Sequence, residues 1–152
     1  DYAHTPESLE SILSAVKSYT RGRVICVFGC GGNRDKNKRP LMGEISGRIS
    51  DYTIITSDNP RNEEPKEIIN EIEEGIKKTK ACYKVIVDRK EAIKNAIEMA
   101  NKLDIVVIAG KGHEMYQEIN GNKLEFNERK IVIEITDELK KKQEEKYTNK
   151  KK

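Results

Sequence analysis

Short apolar runs alternate along this chain with segments whose apolar residues recur every three to four positions, the mark of a layered α/β domain. Thr5 can cap a first helix, and Pro6 fits its first turn, where the missing N–H has no helical partner to lose. Leu9, Ile12, Leu13 and Val16 share one face of that helix, and Gly22 reads as its stop. Val24–Phe28 is apolar throughout, as a strand covered on both faces must be. A second helix is expected over about 38–50 with Leu41, Met42, Ile45 and Ile49 inward, followed by a strand over 52–56. Then come a helix over 65–78, a strand over 83–87, a helix opened by Asp88 with Glu91, and a strand over 104–109. Asn120-Gly121 is a hairpin turn signal between strands at 115–119 and 123–126. The β-branched run 131–135 is expected to close the sheet, and a terminal helix from about Asp137 fades into lysines. The expected fold is α/β: a Rossmann-like three-layer domain with a mostly parallel sheet of about six strands and a C-terminal β-hairpin. Residues 1–136 form the domain, and 137–152 a terminal helix and lysine-rich tail.

Composition narrows the partners. The chain has 152 residues, enough for one ordinary domain, with 36% hydrophobic and 36% charged residues. No apolar run approaches the roughly 18–20 residues of a membrane span, so a membrane role is excluded. The net charge of +3 is unevenly placed, because residues 140–152 hold seven lysines against two glutamates and leave the rest slightly acidic. That tail reads as a solvated extension, with a nucleic-acid arm the lesser alternative; no aromatic residue interleaves with a basic patch in the body, so nucleic acid is discounted. Cys26, Cys30 and Cys82 lack a C-x-x-C spacing and read as reduced thiols of a cytoplasmic protein. With only His4 and His113 present, no metal cluster assembles from sequence neighbours. Nothing at the start reads as an export signal, and the chain begins abruptly within a motif, as part of something longer.

Chemistry concentrates in loops that follow strands, and in an open parallel sheet such loops share one edge, where ligands bind. After Phe28 comes Gly29-Cys30-Gly31-Gly32-Asn33-Arg34, whose glycines let backbone approach a ligand and whose Arg34 can grip a carboxylate or phosphate in two parallel hydrogen bonds. This loop fits neither common nucleotide-binding glycine motif, and alone it is as readily a tight turn as an anion site. In Ser57-Asp58-Asn59-Pro60-Arg61 the proline stiffens a turn that would project Asn59 and Arg61, though alone it is more readily a solvated turn. Gly110-Lys111-Gly112-His113-Glu114 joins two pliant backbone points to a cation, an imidazole and a carboxylate, and alone is equally a left-handed turn with solvent-facing charges. Asp1 and His4 stand before the first helix and are not needed for its cap, so they are left over for a ligand.

Four segments in order, DYAHTPESLE (1–10), VFGCGGNRDKNKRPLMG (27–43), TSDNPRNEEP (56–65) and AGKGHEMYQ (109–117), resemble the C-terminal domain of the Mur ligases, in the branch that adds the third peptide residue of peptidoglycan precursors. The resemblance implies an ATP-dependent amide ligase: ATP phosphorylates the carboxylate of UDP-MurNAc-L-Ala-D-Glu, and a diamino acid's amine attacks the acyl phosphate. It implies ATP contacts at Asp1 and His4, and amino-acid contacts at Arg34, Asn59, Arg61, Gly110 and Glu114, with Asp58 and Pro60 completing the Asp58–Arg61 motif. That motif implies meso-diaminopimelate rather than L-lysine. Physics agrees, since arginines arranged for the extra carboxylate would be left unpaired by lysine. Asn33 stands where the family commonly has Asp. The family's phosphate-binding loop, Mg²⁺ ligands and modified lysine belong to a central domain, and its UDP-binding part to an N-terminal one. Neither stretch is in this sequence, so no catalytic residue or metal ligand is assigned here and the chain alone is expected to be inactive. The alternatives are an L-lysine-adding or other Mur-like amide ligase, or a non-enzymatic ligand-binding module.

Overall fold

The computed structural model describes residues 1–149, and the last three lysines of the tail lie outside the described residues. The elements run α1 (Pro6–Tyr19), β1 (Val24–Phe28), α2 (Lys38–Ile49), β2 (Tyr52–Ile55), α3 (Pro65–Ile76), β3 (Tyr83–Val85), α4 (Arg89–Met99), β4 (Ile105–Ile108), β5 (Tyr116–Ile119), β6 (Asn122–Glu125) and α5 (Glu128–Asn149). Four strands pair in parallel in the order β3-β2-β1-β4, and β5 and β6 form a separate antiparallel hairpin. The capping expected at two helix starts is present. Thr5 Oγ1 accepts from Ser8 N while Thr5 N donates to Ser8 Oγ, and Asp88 accepts from Glu91 N.

Side-chain alternation along the strands divides the core into two layers. Val24, Cys26 and Phe28 face Leu9, Leu13, Met42 and Ile72, drawn from α1, α2 and α3. Ile25, Val27 and Ile54 face Ala92, Ile93, Ile131 and Ile135 on α4 and α5. β1 is therefore fully buried, which is why it reads as an unbroken apolar run.

The α/β class, the parallel sheet and the hairpin agree with the sequence reading, but the six strands are shared between two sheets rather than joined in one. The run 131–135 is not a strand; it is the first part of α5. Ile131 and Ile135 are buried and Leu139 packs against the same cluster, a spacing of four residues, while Ile133 is half-exposed. Asn127 begins the helix by accepting from Lys130 N through Oδ1. β-Branched composition pointed to a strand, and the apolar spacing overrode it. Leu41, expected inward, is half-exposed, and Met42 takes the core position. Gly22 does not cap α1, which closes at Thr20. Gly22 is small because a Cβ there would sit 2.4 Å from the Leu103 backbone.

Candidate functional site

Because β1, β2 and β4 are parallel neighbours, the loops leaving their carboxyl ends emerge side by side, and glycines let them press together. Gly32 N donates to Asn59 O at 2.8 Å, and a Cβ at Gly32 would lie 1.9 Å from Pro60 O. Gly110 has φ +113°, which favours glycine, and a Cβ there would meet Asp58 Oδ2 at 2.7 Å. Arg61 itself is left-handed at φ 51°, held there by the hairpin: its N–H donates to Glu118 O and its carbonyl accepts from Asn120 N. Its side chain thus leaves the turn in a fixed direction.

These loops enclose a cavity of about 380 Å³ lined by His4, Arg34, Asp58, Asn59, Arg61, Gly110 and Glu114, with Tyr2, Gly31, Lys38 and Tyr116. Seven of the nine expected site and motif residues therefore meet in one place. Pro60 shapes the turn behind them. Asp1 lines a different depression with Ile108, Gly112 and Glu128, and its Oδ1 accepts from Ala3 N. Two charged groups share the cavity. Arg34 and Arg61 converge over Gly31, where a Cβ would come 2.9 Å from Arg61 Nη1 and 3.7 Å from Arg34 Cγ. Arg61 Nη1 donates to Gly32 O and its Nε pairs with Glu118 at 3.3 Å, which leaves Nη2 for a ligand, while the Arg34 guanidinium contacts only its neighbour's carbonyl. The second group is Asp58, Asn59 and Glu114, where Asn59 Nδ2 donates to Glu114 Oε2 at 3.1 Å. Guanidinium forks beside a carboxylate pair suit a ligand carrying both carboxylate and ammonium. The Tyr2 ring packs in tilted contact with the His4 and His113 rings, with centroids 4.5 and 5.3 Å apart.

Three buried cations brace the loops, and the sequence reading assigned none of them a role. Arg39 donates to Gly31 O and to both oxygens of Glu63. Arg89 donates to Ser57 O and Ala109 O, and Lys111 sits among Asp58, Asn59 and Glu114. Buried cations cannot be told from exposed ones by residue type, since charged residues are usually outside. The one local signal was Lys111, enclosed by two glycines. Burial pushes the Cys30 thiol up to about 12 and Cys26 up to about 11, so neither is a nucleophile near neutrality. No group of three or more His, Cys, Asp or Glu among the described residues could hold a metal ion.

The Arg39 bonds, aided by Asn33 N, hold the Glu63 carboxyl down at about 2, against 4.5 for the unperturbed group. A depressed carboxyl contributes stability that is complete above its unfolded value and is lost as pH falls through its folded one. Glu63→Gln should therefore flatten the decline in stability between about pH 4.5 and 2. Urea melts of both proteins across that range check this, and parallel pH curves would refute it.

Together the fold and the site define a parallel α/β domain with a ligand cavity at the carboxyl edge of its sheet. Residues 1–112 match the family described as Mur ligase, glutamate ligase domain, and the chain belongs to that family. It is 57% identical over 141 residues to the UDP-N-acetylmuramoyl-L-alanyl-D-glutamate–2,6-diaminopimelate ligase of Caldanaerobacter subterraneus subsp. tengcongensis, a match covering 93% of this chain and 29% of that protein. The solved structure of a UDP-N-acetylmuramoyl-L-alanyl-D-glutamate–2,6-diaminopimelate ligase superposes with a TM-score of 0.87 at 45% identity, over 91% of this chain and 28% of the other. FolC of E. coli, solved with ADP, shares the fold alone at 20% identity and a TM-score of 0.53, over 72% of this chain and 25% of its own. The chain thus spans under a third of the curated relatives it matches. No helix among the described residues is long and apolar enough to cross a membrane.

Proposed function

We propose that this chain is the amino-acid-recognition domain of a longer ATP-dependent ligase that joins meso-diaminopimelate to UDP-MurNAc-L-Ala-D-Glu. The observation that carries the reading is the shared cavity in which Arg34 and Arg61 converge over Gly31 beside the Asp58–Asn59–Glu114 group. The diamino acid's distal carboxylate is gripped by Arg34 and by Nη2 of Arg61, and its distal ammonium by Glu114 and Asp58. ATP supplies the phosphoryl group that turns the D-Glu carboxylate into an acyl phosphate. The near amine then forms the amide as phosphate leaves and the nitrogen releases a proton. This chain's residues hold the amine in place, and positioning of that kind accounts for a large part of such rate enhancements.

The Tyr2 and His4 rings, tilted against each other beside the cavity, offer aromatic surface for the edge of a nucleotide, and Asp1 contributes from the neighbouring depression. The phosphate-binding loop and the Mg²⁺ ligands belong to the part of the longer protein outside this sequence. Nucleotide-linked substrates put the enzyme in the cytoplasm, with neither nucleic acid nor membrane as partner. Residues 1–136 form the binding unit. The stretch 137–152 extends it as the end of α5 and a lysine-rich tail, with Leu139 of that stretch still packed on the core.

Initial rates of the full-length enzyme with ATP, the UDP-dipeptide and either diamino acid test the proposal. kcat/KM should favour meso-diaminopimelate over L-lysine by about tenfold to a hundredfold or more, the cost of unpaired guanidinium groups in a sheltered site. A ratio near one removes the carboxylate clamp.

A further inference from the structure

Lys111 is wholly buried, on the loop between β4 and the hairpin, yet its ammonium reaches four acceptors. It donates to Asn59 Oδ1 at 2.7 Å and to Tyr116 O at 2.9 Å, and it pairs with Asp58 Oδ1 at 3.2 Å and Glu114 Oε2 at 3.5 Å. Asn59 Oδ1 also accepts from Glu118 N at 2.9 Å. An amide side chain ordinarily has two near-equivalent orientations. Here one orientation is enforced, because a flip would set the amide NH2 against two donors. Nδ2 is thereby aimed at Glu114 Oε2.

From this geometry we infer that Lys111 is a positioning residue for the diamino acid: it fixes the Asn59 amide, holds Glu114, and offsets one of two neighbouring carboxylates so that their site accepts a single ammonium. The inference rests on the amino-acid-binding reading above. In charge terms Lys111 balances one of Asp58 and Glu114, and the substrate's ammonium balances the other. A simple Coulomb argument runs the other way, since removing a cation from an ammonium site should tighten binding. That makes the sign of the effect informative.

Lys111→Met in the full-length enzyme tests it. KM for meso-diaminopimelate should rise about tenfold or more, with kcat and the KM values for ATP and the UDP-dipeptide within about threefold of the unsubstituted enzyme. Because the methionine strands buried carboxylates and can unfold the domain, Lys111→Gln serves as a second variant. Its amide can still donate to the acceptors around it but carries no charge, so thermal stability should recover relative to Lys111→Met while the KM for the diamino acid stays raised. An unchanged or lowered KM in the folded variants overturns the role. So does a KM that returns to normal together with the melting temperature, or a fall in all kinetic constants in step. If the unsubstituted enzyme accepts no diamino acid at all, the functional reading beneath fails first, and the two failures are thus told apart.

Discussion

Arg61→Ala in the full-length ligase is expected to lower kcat/KM for meso-diaminopimelate by about tenfold to a hundredfold, while the KM for the UDP-dipeptide stays where it was. A charge-assisted hydrogen bond lost in a sheltered site is worth about 1.5–3 kcal/mol, and each 1.4 kcal/mol is a factor of ten. Arg61 has a second duty, because its Nη1 holds Gly32 O and its Nε pairs with Glu118. Part of the loss will therefore come from loosening the first loop. Arg34→Ala separates the two effects. The Arg34 side chain is exposed and touches only the Asn33 carbonyl, so its removal should leave the melting temperature almost unchanged. Its signature is selectivity: the preference for meso-diaminopimelate over L-lysine should shrink about tenfold in initial-rate assays on both substrates. If Arg34→Ala weakens the two diamino acids equally, the distal carboxylate is held elsewhere.

What the sequence made legible, and what it hid, follows from the range of the interactions involved. Val24–Phe28 declares itself because both of its faces are buried, and the loops after it declare themselves because glycine, proline and asparagine have local conformational reasons to be there. The convergence of these loops is also readable, since parallel strands leave their carboxyl ends on one edge. The helix at 128–149 was misread in its first turns because Ile131-Val132-Ile133 has strand-like composition, and four-residue spacing is hard to see in so short a window. Arg39, Arg89, Lys111 and Glu118 escaped for a different reason. Arg39 acts on Glu63 24 residues away in sequence, Arg89 on Ala109 and Glu128 20 and 39 away, Lys111 on Asn59 52 away, and Glu118 on Asn59 59 away and on the side chain of Arg61 across the hairpin contact. Residue type alone assigns such side chains to the surface.

Arg89 shows how much those hidden contacts carry. It is 1% exposed at the first position of α4. Its Nη1 donates to Ser57 O at 3.2 Å, and its Nη2 to Ala109 O at 2.9 Å and Glu128 Oε1 at 3.1 Å. It therefore ties the root of the second loop to the root of the third and to the start of α5. Arg89→Met strands a buried carboxylate and two carbonyls, which should cost about 3–5 kcal/mol. Set against a total stability of about 5–15 kcal/mol, that is a large share, and it should lower the melting temperature by about 6–20 °C. The pair is nevertheless imperfect, since Arg89 Nε and Glu128 Oε2 have no partner. Replacing both residues, Arg89→Met with Glu128→Leu, removes the stranded charge and should recover most of the lost stability in chemical melts. Activity should not return with it, because Ser57 O and Ala109 O still lack the donor that sets the Asp58–Arg61 turn against Gly110. A single Arg89→Met substitution that melts within about 1 kcal/mol of the parent would show that the loops are held by their own backbone contacts, with the buried arginine incidental.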